Sequence, residues 1–496
     1  MSQTSPLHPT LLVAAGASGV KWTGAAAAVN AGGAILQILV LARLLAPSDF
    51  GLMAAAMVVL GFAQAFADGG VSQALLRSKS DTPEIRSSLY WLNIAVSVCA
   101  FVVVMASSSF VENFYGAKGV AEVLRWASVV FLLVPWGLQF QILLQKNLRF
   151  RTLAIVQVAA TIAGTAVAIA SAALQAGALA LVWGWVTTLG LQSLACAAIG
   201  WRTWPPTLRF RRSDLADYLG FGGYQMAQRI ANHLASYVDY LIVGLFLGPT
   251  ALGVYSLAYQ LVVRPLVYLN PIIVNVAFPI FAQKQDDNDA LGRGYVHVVQ
   301  ILGYIVFPLL VGLGVFAPVI VPLVLGAKWS AAIPVLQILA GVGAVRSIYN
   351  PAGPVVLAKG RPELILWLNV RFLGIMTLAL IGASQAGLQA VAWTVLIVVT
   401  AQGAMWWVTL KRLIGLPLGA SWAAIRGALS MALAAGAASW ALGQALAELA
   451  APRSVQFAAM LVAGAGVYGL LVMTLDRAYV GAILGLLKKS ARDAGA

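Results

Sequence analysis

Long apolar runs separated by short charged or Gly/Pro-rich breaks set the pattern of this chain. The runs fall near 22–45, 50–76, 87–109, 121–145, 152–173 and 178–200, and after a basic linker near 218–247, 252–281, 295–317, 331–357, 363–383, 387–410, 421–446 and 455–475. Each is long enough to cross a bilayer, which takes about 20 residues at roughly 1.5 Å rise per residue. Only helices or closed barrels satisfy their backbone in hydrocarbon, and the roughly ten-residue alternating segments of a membrane barrel are missing. The pattern predicts an all-α polytopic membrane protein with about fourteen transmembrane helices. Composition points the same way. Hydrophobic residues make up 61% of the 496 positions and charged residues 9%, against roughly 25% charged in soluble domains. Mean hydropathy is +0.89.

Charge adds sidedness. The net charge of +15 could suggest a nucleic-acid partner, but the positives sit in short inter-helix segments rather than on one basic face, so none is expected. With the N-terminus inside, 21 of the 31 Lys and Arg fall in cytoplasmic segments, three (Lys118, Lys328, Arg453) on the other side, and seven within or near spans. This asymmetry predicts both termini in the cytoplasm and an even helix count. Cys99 and Cys196 lie in apolar runs, and His8, His233 and His297 are scattered. Neither a disulfide framework nor a metal site is expected.

The chain repeats itself. Leu45-Ala46-Pro47-Ser48-Asp49-Phe50-Gly51-Leu52 returns as Leu247-Gly248-Pro249-Thr250-Ala251-Leu252-Gly253-Val254, 202 positions later. Further along the offset is 210: Gly116-Ala117-Lys118 matches Gly326-Ala327-Lys328, Arg151 matches Arg361, Gln175-Ala176-Gly177 matches Gln385-Ala386-Gly387, and Trp183 matches Trp393. One insertion near Lys284–Ala290 accounts for the change. Two pseudo-symmetric six-helix lobes follow, related by an axis along the membrane normal, plus two C-terminal helices. The expected division is 1–217 for the N-lobe with its basic linker, 218–415 for the C-lobe, and 416–496 for helices 13 and 14 and the tail.

Polar and charged residues inside spans are costly, by roughly 2.5–3.5 kcal/mol on insertion scales, so they are the candidate site. Gln225, Arg229, Asn232, Ser236 and Asp239 are spaced to form one stripe on the seventh span, with His233 beside it. The eighth span carries Gln260, Arg264 and Asn275. Asn30 and Gln37 of the first span map by the 202 offset onto Asn232 and Asp239, and Asp68 of the second maps onto Asn270. Polar residues at matching positions fit two faces lining one cavity; the competing reading is that they pair with one another and brace the bundle. Arg43, Arg125 and Arg426 are expected to snorkel to an interface, whereas Arg264, Arg346 and Arg371 lie deep enough to line a wet cavity. The in-span arginines face only Asp68, Asp239 and Glu122, which favours an anionic cargo over organic cations. Arginine binds phosphate in a fork, and a pyrophosphate needs several such partners. Asp239, His233 and Asp68 are candidates for ion coupling, although a neutral packed histidine is the simpler role for His233. No Walker-type phosphate loop is present, so no ATP-driven chemistry or cofactor is expected.

The fourteen-span, 6 + 6 + 2 arrangement and its repeat resemble the multidrug/oligosaccharidyl-lipid/polysaccharide exporter superfamily. The stretches Leu41-Ala-Arg-Leu-Leu-Ala-Pro-Ser-Asp-Phe-Gly-Leu52, Phe66-Ala-Asp-Gly-Gly-Val-Ser-Gln-Ala-Leu75, Asp239-Tyr-Leu-Ile-Val-Gly-Leu-Phe-Leu-Gly-Pro249 and Gly253-Val-Tyr-Ser-Leu-Ala-Tyr259 are similar to its polysaccharide-transport branch, the Wzx-type flippases. The resemblance implies two lobes forming a V-shaped, alternately opening cavity in a bacterial inner membrane. It further implies flipping of undecaprenyl-pyrophosphate-linked repeat units for O-antigen or exopolysaccharide assembly, coupled to H+ or Na+. The partners implied are that lipid-linked oligosaccharide, membrane lipids, and the polymerase and chain-length-regulating proteins of the pathway. On this reading Arg229, Arg264, Arg346 and Arg371, with Asn30, Asn232, Gln225 and Gln260, would bind the cargo. A peptidoglycan-precursor flippase and a drug/cation antiporter share the fold. A membrane polymerase or ligase would be expected to carry a large outer loop, which this chain lacks.

Overall fold

The computed structural model describes residues 29–68, 82–211, 216–283 and 286–476. The first lead-in segment and the basic tail, whose cytoplasmic placement was expected, lie outside the described residues. Of the described residues 88% are helical, and no strand occurs among them. In chain order the helices are α1 (Val29–Leu44), α2 (Pro47–Asp68), α3 (Pro83–Tyr115), α4 (Val120–Leu133), α5 (Pro135–Lys146), α6 (Phe150–Ala173), α7 (Ala178–Trp201), α8 (Ala216–Gln283), α9 (Asn288–Ile320), α10 (Ala332–Tyr349), α11 (Ala352–Ala358), α12 (Pro362–Ser384), α13 (Leu388–Ile414), α14 (Leu418–Glu448) and α15 (Arg453–Leu475). Among the described residues, eleven helices are long and apolar enough to cross a membrane, or twelve when α4 and α5, bent by 51°, count as one span.

The expected fourteen is therefore not reached by this measure, and two places account for the difference. Helix α1 is apolar but short, and α8 runs through two of the expected spans. It is interrupted only at Gly248, which takes φ 79° and ψ 177°. Glycine alone holds that backbone at low cost, so the helix turns there. The repeat is visible in the same terms. Gly116 and its counterpart Gly326 have φ 60° and 99°, and Gly177 and its counterpart Gly387 have φ 55° and 93°. Matched glycines end or begin matched helices in both halves.

Contact clustering gives two compact units, Met1–Gly253 and Val254–Ala496. In the first, α6 lies along α7 through small residues. A methyl group on Gly164 would come 2.6 Å from the Gly184 carbonyl oxygen, and one on Gly184 would meet the Ala168 methyl at 2.5 Å. Lipid tails are as apolar as side chains, so close backbone approach rather than hydrophobic burial holds such pairs. The α4–α5 bend follows from Pro135, which cannot donate to the helix ladder. Ser193 of α7 repairs the break: its Oγ accepts from the Gly137 N–H at 2.8 Å and reaches the Leu133 and Val134 carbonyls at 2.9 and 2.8 Å. A carboxylate does similar work at the start of α4, where Glu112 Oε2 accepts from the Gly119 and Ala121 N–H groups, both at 3.0 Å. Arg125, expected to snorkel, is exposed and donates to Ser108 and Ser109 of α3 at 3.0 and 2.9 Å.

The second unit has its core around Phe281, Leu291, Tyr295, Phe307, Trp406 and Leu410. There α14 packs on α15 through Gly443, whose added methyl would touch the Met460 sulfur at 2.7 Å, and through the Ser439 hydroxyl, which donates to the Met460 carbonyl at 3.0 Å. The pair without a counterpart in the first half is thus joined as tightly as the repeated helices.

Removing the Ser193 hydroxyl leaves polar backbone at the Pro135 bend without its side-chain partner. Ser193→Ala is expected to cost about 1–3 kcal/mol, read as a lower thermal-unfolding midpoint of the detergent-purified protein.

Candidate functional site

The two copies of the repeated motif meet inside the first unit. Pro47 opens α2, and Pro249 follows the Gly248 turn of α8; each is followed four residues later by a glycine. A methyl group on Gly51 would lie 1.8 Å from the Pro249 carbonyl oxygen, and one on Gly253 would lie 1.7 Å from the Pro47 carbonyl oxygen. Each glycine thus rests on the carbonyl of the other motif's proline, a reciprocal contact of local two-fold character that no larger residue permits. Asp49 holds the α1–α2 corner by accepting from the Ala46 N–H at 2.8 Å.

The same pair of helices crosses again deeper in the span, at His233. Its Nε2–H donates to the Val58 carbonyl at 2.9 Å, and its ring lies between Phe62 at 5.1 Å and Tyr237 at 4.5 Å. A methyl on Gly61 would fall 1.8 Å from His233 Cε1, so the imidazole occupies the place a side chain would take. His233 is a packed, hydrogen-bonded residue between α2 and α8. The rest of the predicted stripe is uneven: Arg229 is half-buried, Asn232 and Ser236 are exposed, and Asp239 is buried at 3% exposure with its Oδ1 accepting from the Tyr240 N–H. Asn30 of α1 is half-buried and its Oδ1 has no hydrogen-bond partner among the described residues. Gln37 accepts from Thr165 of α6 at 3.2 Å. The side chains of Asp68, Gln225 and Arg264 lie outside the described residues.

In the second unit an aromatic cradle holds Arg346 near the end of α10. Its Nη1 donates to the Tyr259 hydroxyl, its guanidinium carbon lies 5.5 Å from the Tyr259 ring centroid, and the Tyr349 side chain lies beside it. Tyr259 is itself stacked on Tyr255 at 6.1 Å, and Tyr349 on Trp406 at 6.5 Å. Aromatic faces attract a guanidinium through the ring quadrupole, so these tyrosines hold the cation in place. Tyr259 and Tyr349 were not among the expected site residues. The signal was there, in the Tyr-x-x-x-Tyr spacing at 255 and 259 and in the Tyr three positions after Arg346. Gln260, half-buried, follows Tyr259 in the chain. Arg371, predicted with this set, instead lines a groove of 490 Å³ between α12 and α13, together with Arg361 and Arg412. Among the described residues no group of three or more His, Cys, Asp or Glu is arranged to hold a metal ion.

Comparison with known proteins gives this geometry its context. The family profile described as "Polysaccharide biosynthesis protein" matches residues 40–334, more than half of the chain. The chain belongs to that polysaccharide biosynthesis family. The teichuronic acid biosynthesis protein TuaB of Bacillus subtilis (strain 168) is 33% identical over 382 residues, covering 77% of this chain and 79% of TuaB. The lipopolysaccharide biosynthesis protein WzxC of Escherichia coli (strain K12) is 33% identical over 372 residues, 75% of each chain. Among solved structures, the lipid II flippase MurJ in an inward closed conformation matches with a TM-score of 0.69 over 93% of this chain and 99% of MurJ. At 12% identity the likeness is one of fold. This member of the polysaccharide biosynthesis family is a multi-pass membrane transporter of the polysaccharide-transport branch that its motifs resemble.

Two of those motifs carry the reciprocal proline–glycine contact. Gly51→Ala and Gly253→Ala are each expected to force the two motifs apart and cost about 1–3 kcal/mol by overpacking. The double variant should cost clearly less than the sum, because both substitutions break one contact. Thermal unfolding of the three purified variants reads this coupling.

Proposed function

We propose that this transporter flips undecaprenyl-pyrophosphate-linked oligosaccharide repeat units from the cytoplasmic to the outer leaflet of a bacterial inner membrane, for O-antigen or exopolysaccharide assembly. The observation that carries the reading is the excess of arginine over carboxylate within the spans, in a family that serves polysaccharide biosynthesis. Arg346, cradled by Tyr259 and Tyr349, is the best-defined of these cations. In this mechanism the sugar-pyrophosphate head enters a central cavity while the polyprenyl tail stays in lipid. Arg229, Arg264 and Arg346 hold the phosphates, Asn30, Asn232, Gln225 and Gln260 meet the head group's hydroxyls, and two lobes alternate access. Asp239 or Asp68 would couple H+ or Na+, His233 being committed to packing against Gly61 and Val58. On this reading both termini lie in the cytoplasm, as the Lys/Arg distribution favours, and the pathway's polymerase and chain-length regulators are the expected partners on the outer side.

Cells lacking the chain should accumulate complete undecaprenyl-linked repeat units in the cytoplasmic leaflet, detected by mass analysis of extracted lipids and leaflet-selective labelling. Units that still reach the outer leaflet but stay unpolymerised would overturn the proposal, and accumulated peptidoglycan precursor would assign the other cargo. A finer test acts on the cation. Arg346→Ala, at normal membrane level, is expected to cut surface polysaccharide by roughly tenfold or more, as expected for loss of a charge-assisted hydrogen bond of about 1.5–3 kcal/mol. Arg346→Lys should fall between, because a lysine keeps the charge but loses the planar fork that stacks on tyrosine.

A further inference from the structure

The groove between α12 and α13 lies at the end of the second unit that carries Lys359, Arg361, Lys411 and Arg412, the Lys/Arg-rich side of the chain. Its floor is apolar, from Leu364 and Leu413, and Trp367 stands at its edge at 63% exposure. Three guanidiniums, Arg361, Arg371 and Arg412, line it. Arg361 is paired with Glu363. Arg371 and Arg412 make no ion pair or hydrogen bond among the described residues.

The surroundings of Arg371 indicate what meets it. Along α12 the exposed face carries Trp367, Val370, Ile375, Leu378 and Ile381, large apolar side chains with Arg371 among them. In a membrane-spanning helix such a face meets lipid. Arg371 lies nine residues past Pro362, about 14 Å along the helix at ~1.5 Å per residue. Its side chain leans toward the helix start, which brings the guanidinium back toward Arg361 and Arg412. A lipid-facing arginine of this kind seeks an interfacial anion rather than bulk water. Basic pockets between transmembrane helices on the cytoplasmic side are suited to phosphate head groups.

We propose that this groove binds an anionic glycerophospholipid of the leaflet on the Lys/Arg-rich side. Arg371 and Arg412 hold the phosphate, and Trp367, Leu364 and Leu413 flank the upper acyl chain. The site is separate from the residues assigned above to the cargo, and its occupant is a membrane lipid that need not be transported.

Native mass spectrometry of the full chain in detergent, titrated with phosphatidylglycerol, cardiolipin or phosphatidylcholine, tests this without any transport step. Binding can therefore fail while the flippase reading stands, and the reverse. One anionic lipid should bind the wild type with preference over phosphatidylcholine. Arg371→Gln/Arg412→Gln should weaken it roughly 30-fold, at about tenfold per 1.4 kcal/mol and ~1 kcal/mol per cation. Lys411→Gln, a neighbouring cation outside the groove, should leave it unchanged. Leu413→Trp, which fills the groove and keeps both arginines, should also displace the lipid and guards against misfolding of the double variant. Unchanged anionic-lipid binding in both groove variants would overturn the proposal. So would a groove that takes undecaprenyl diphosphate in an Arg371-dependent manner while ignoring phosphatidylglycerol, because the site would then belong to the cargo.

Discussion

Hydrocarbon offers no partner for a backbone N–H or C=O, and everything else in this protein is arranged around that deficit. A chain that crosses a bilayer many times can meet it only by keeping its hydrogen bonds inside helices, and each departure from a helix then needs a local remedy. The departures here have identifiable ones. Pro135 bends the α4–α5 pair, and Ser193 from α7 supplies the hydrogen bonds the bend leaves open. The start of α4 is covered by the Glu112 carboxylate, and the Gly248 turn joins the two halves of α8. These residues are polar or small for reasons of structure, which matters when polar residues inside spans are read as a functional site.

With backbone satisfaction secured by helices, contacts between them rest on close approach. Gly164 against Gly184, Gly137 against Ser193, and Gly443 against Met460 all place backbone or sulfur where a side chain would otherwise stand. The reciprocal meeting of Pro47–Gly51 and Pro249–Gly253 belongs to the same class and adds symmetry, since it joins two copies of one motif. A repeat of this kind needs a seam that each copy can make with the other, and a glycine lying on a carbonyl supplies one from a single sequence pattern. Such a seam has little tolerance in width.

Two of the in-span cations sit in different environments. Arg346 is held in place by tyrosines, an arrangement suited to a transient anion. Arg371 stands on a lipid-facing surface beside Arg361 and Arg412, where a resident anion suits it better than a passing one. Their side chains are identical and both lie within apolar runs; the difference comes from the helices beside them. His233 makes the same point from the other direction. A histidine within a span invites a role in proton coupling, yet its ring fills the space above Gly61 and its Nε2–H is committed to the Val58 carbonyl.

The sequence by itself determined the class of the protein and its family, and it marked out most of the long apolar helices. All of these are properties of the chain read in one dimension: hydropathy over some twenty residues, charge in the breaks, and recurrence of Pro, Gly, Lys and Trp at fixed offsets. The glycine pairs 116/326 and 177/387, matched by offset alone, all take positive φ. What the sequence could not decide was which face of each helix meets protein and which meets lipid. A span that is apolar all round carries little periodicity to reveal its inner face, so Arg346 and Arg371 look alike until α10 and α12 have neighbours. Tertiary structure made that choice, bringing Tyr259 to Arg346 across 87 residues and Val58 to His233 across 175.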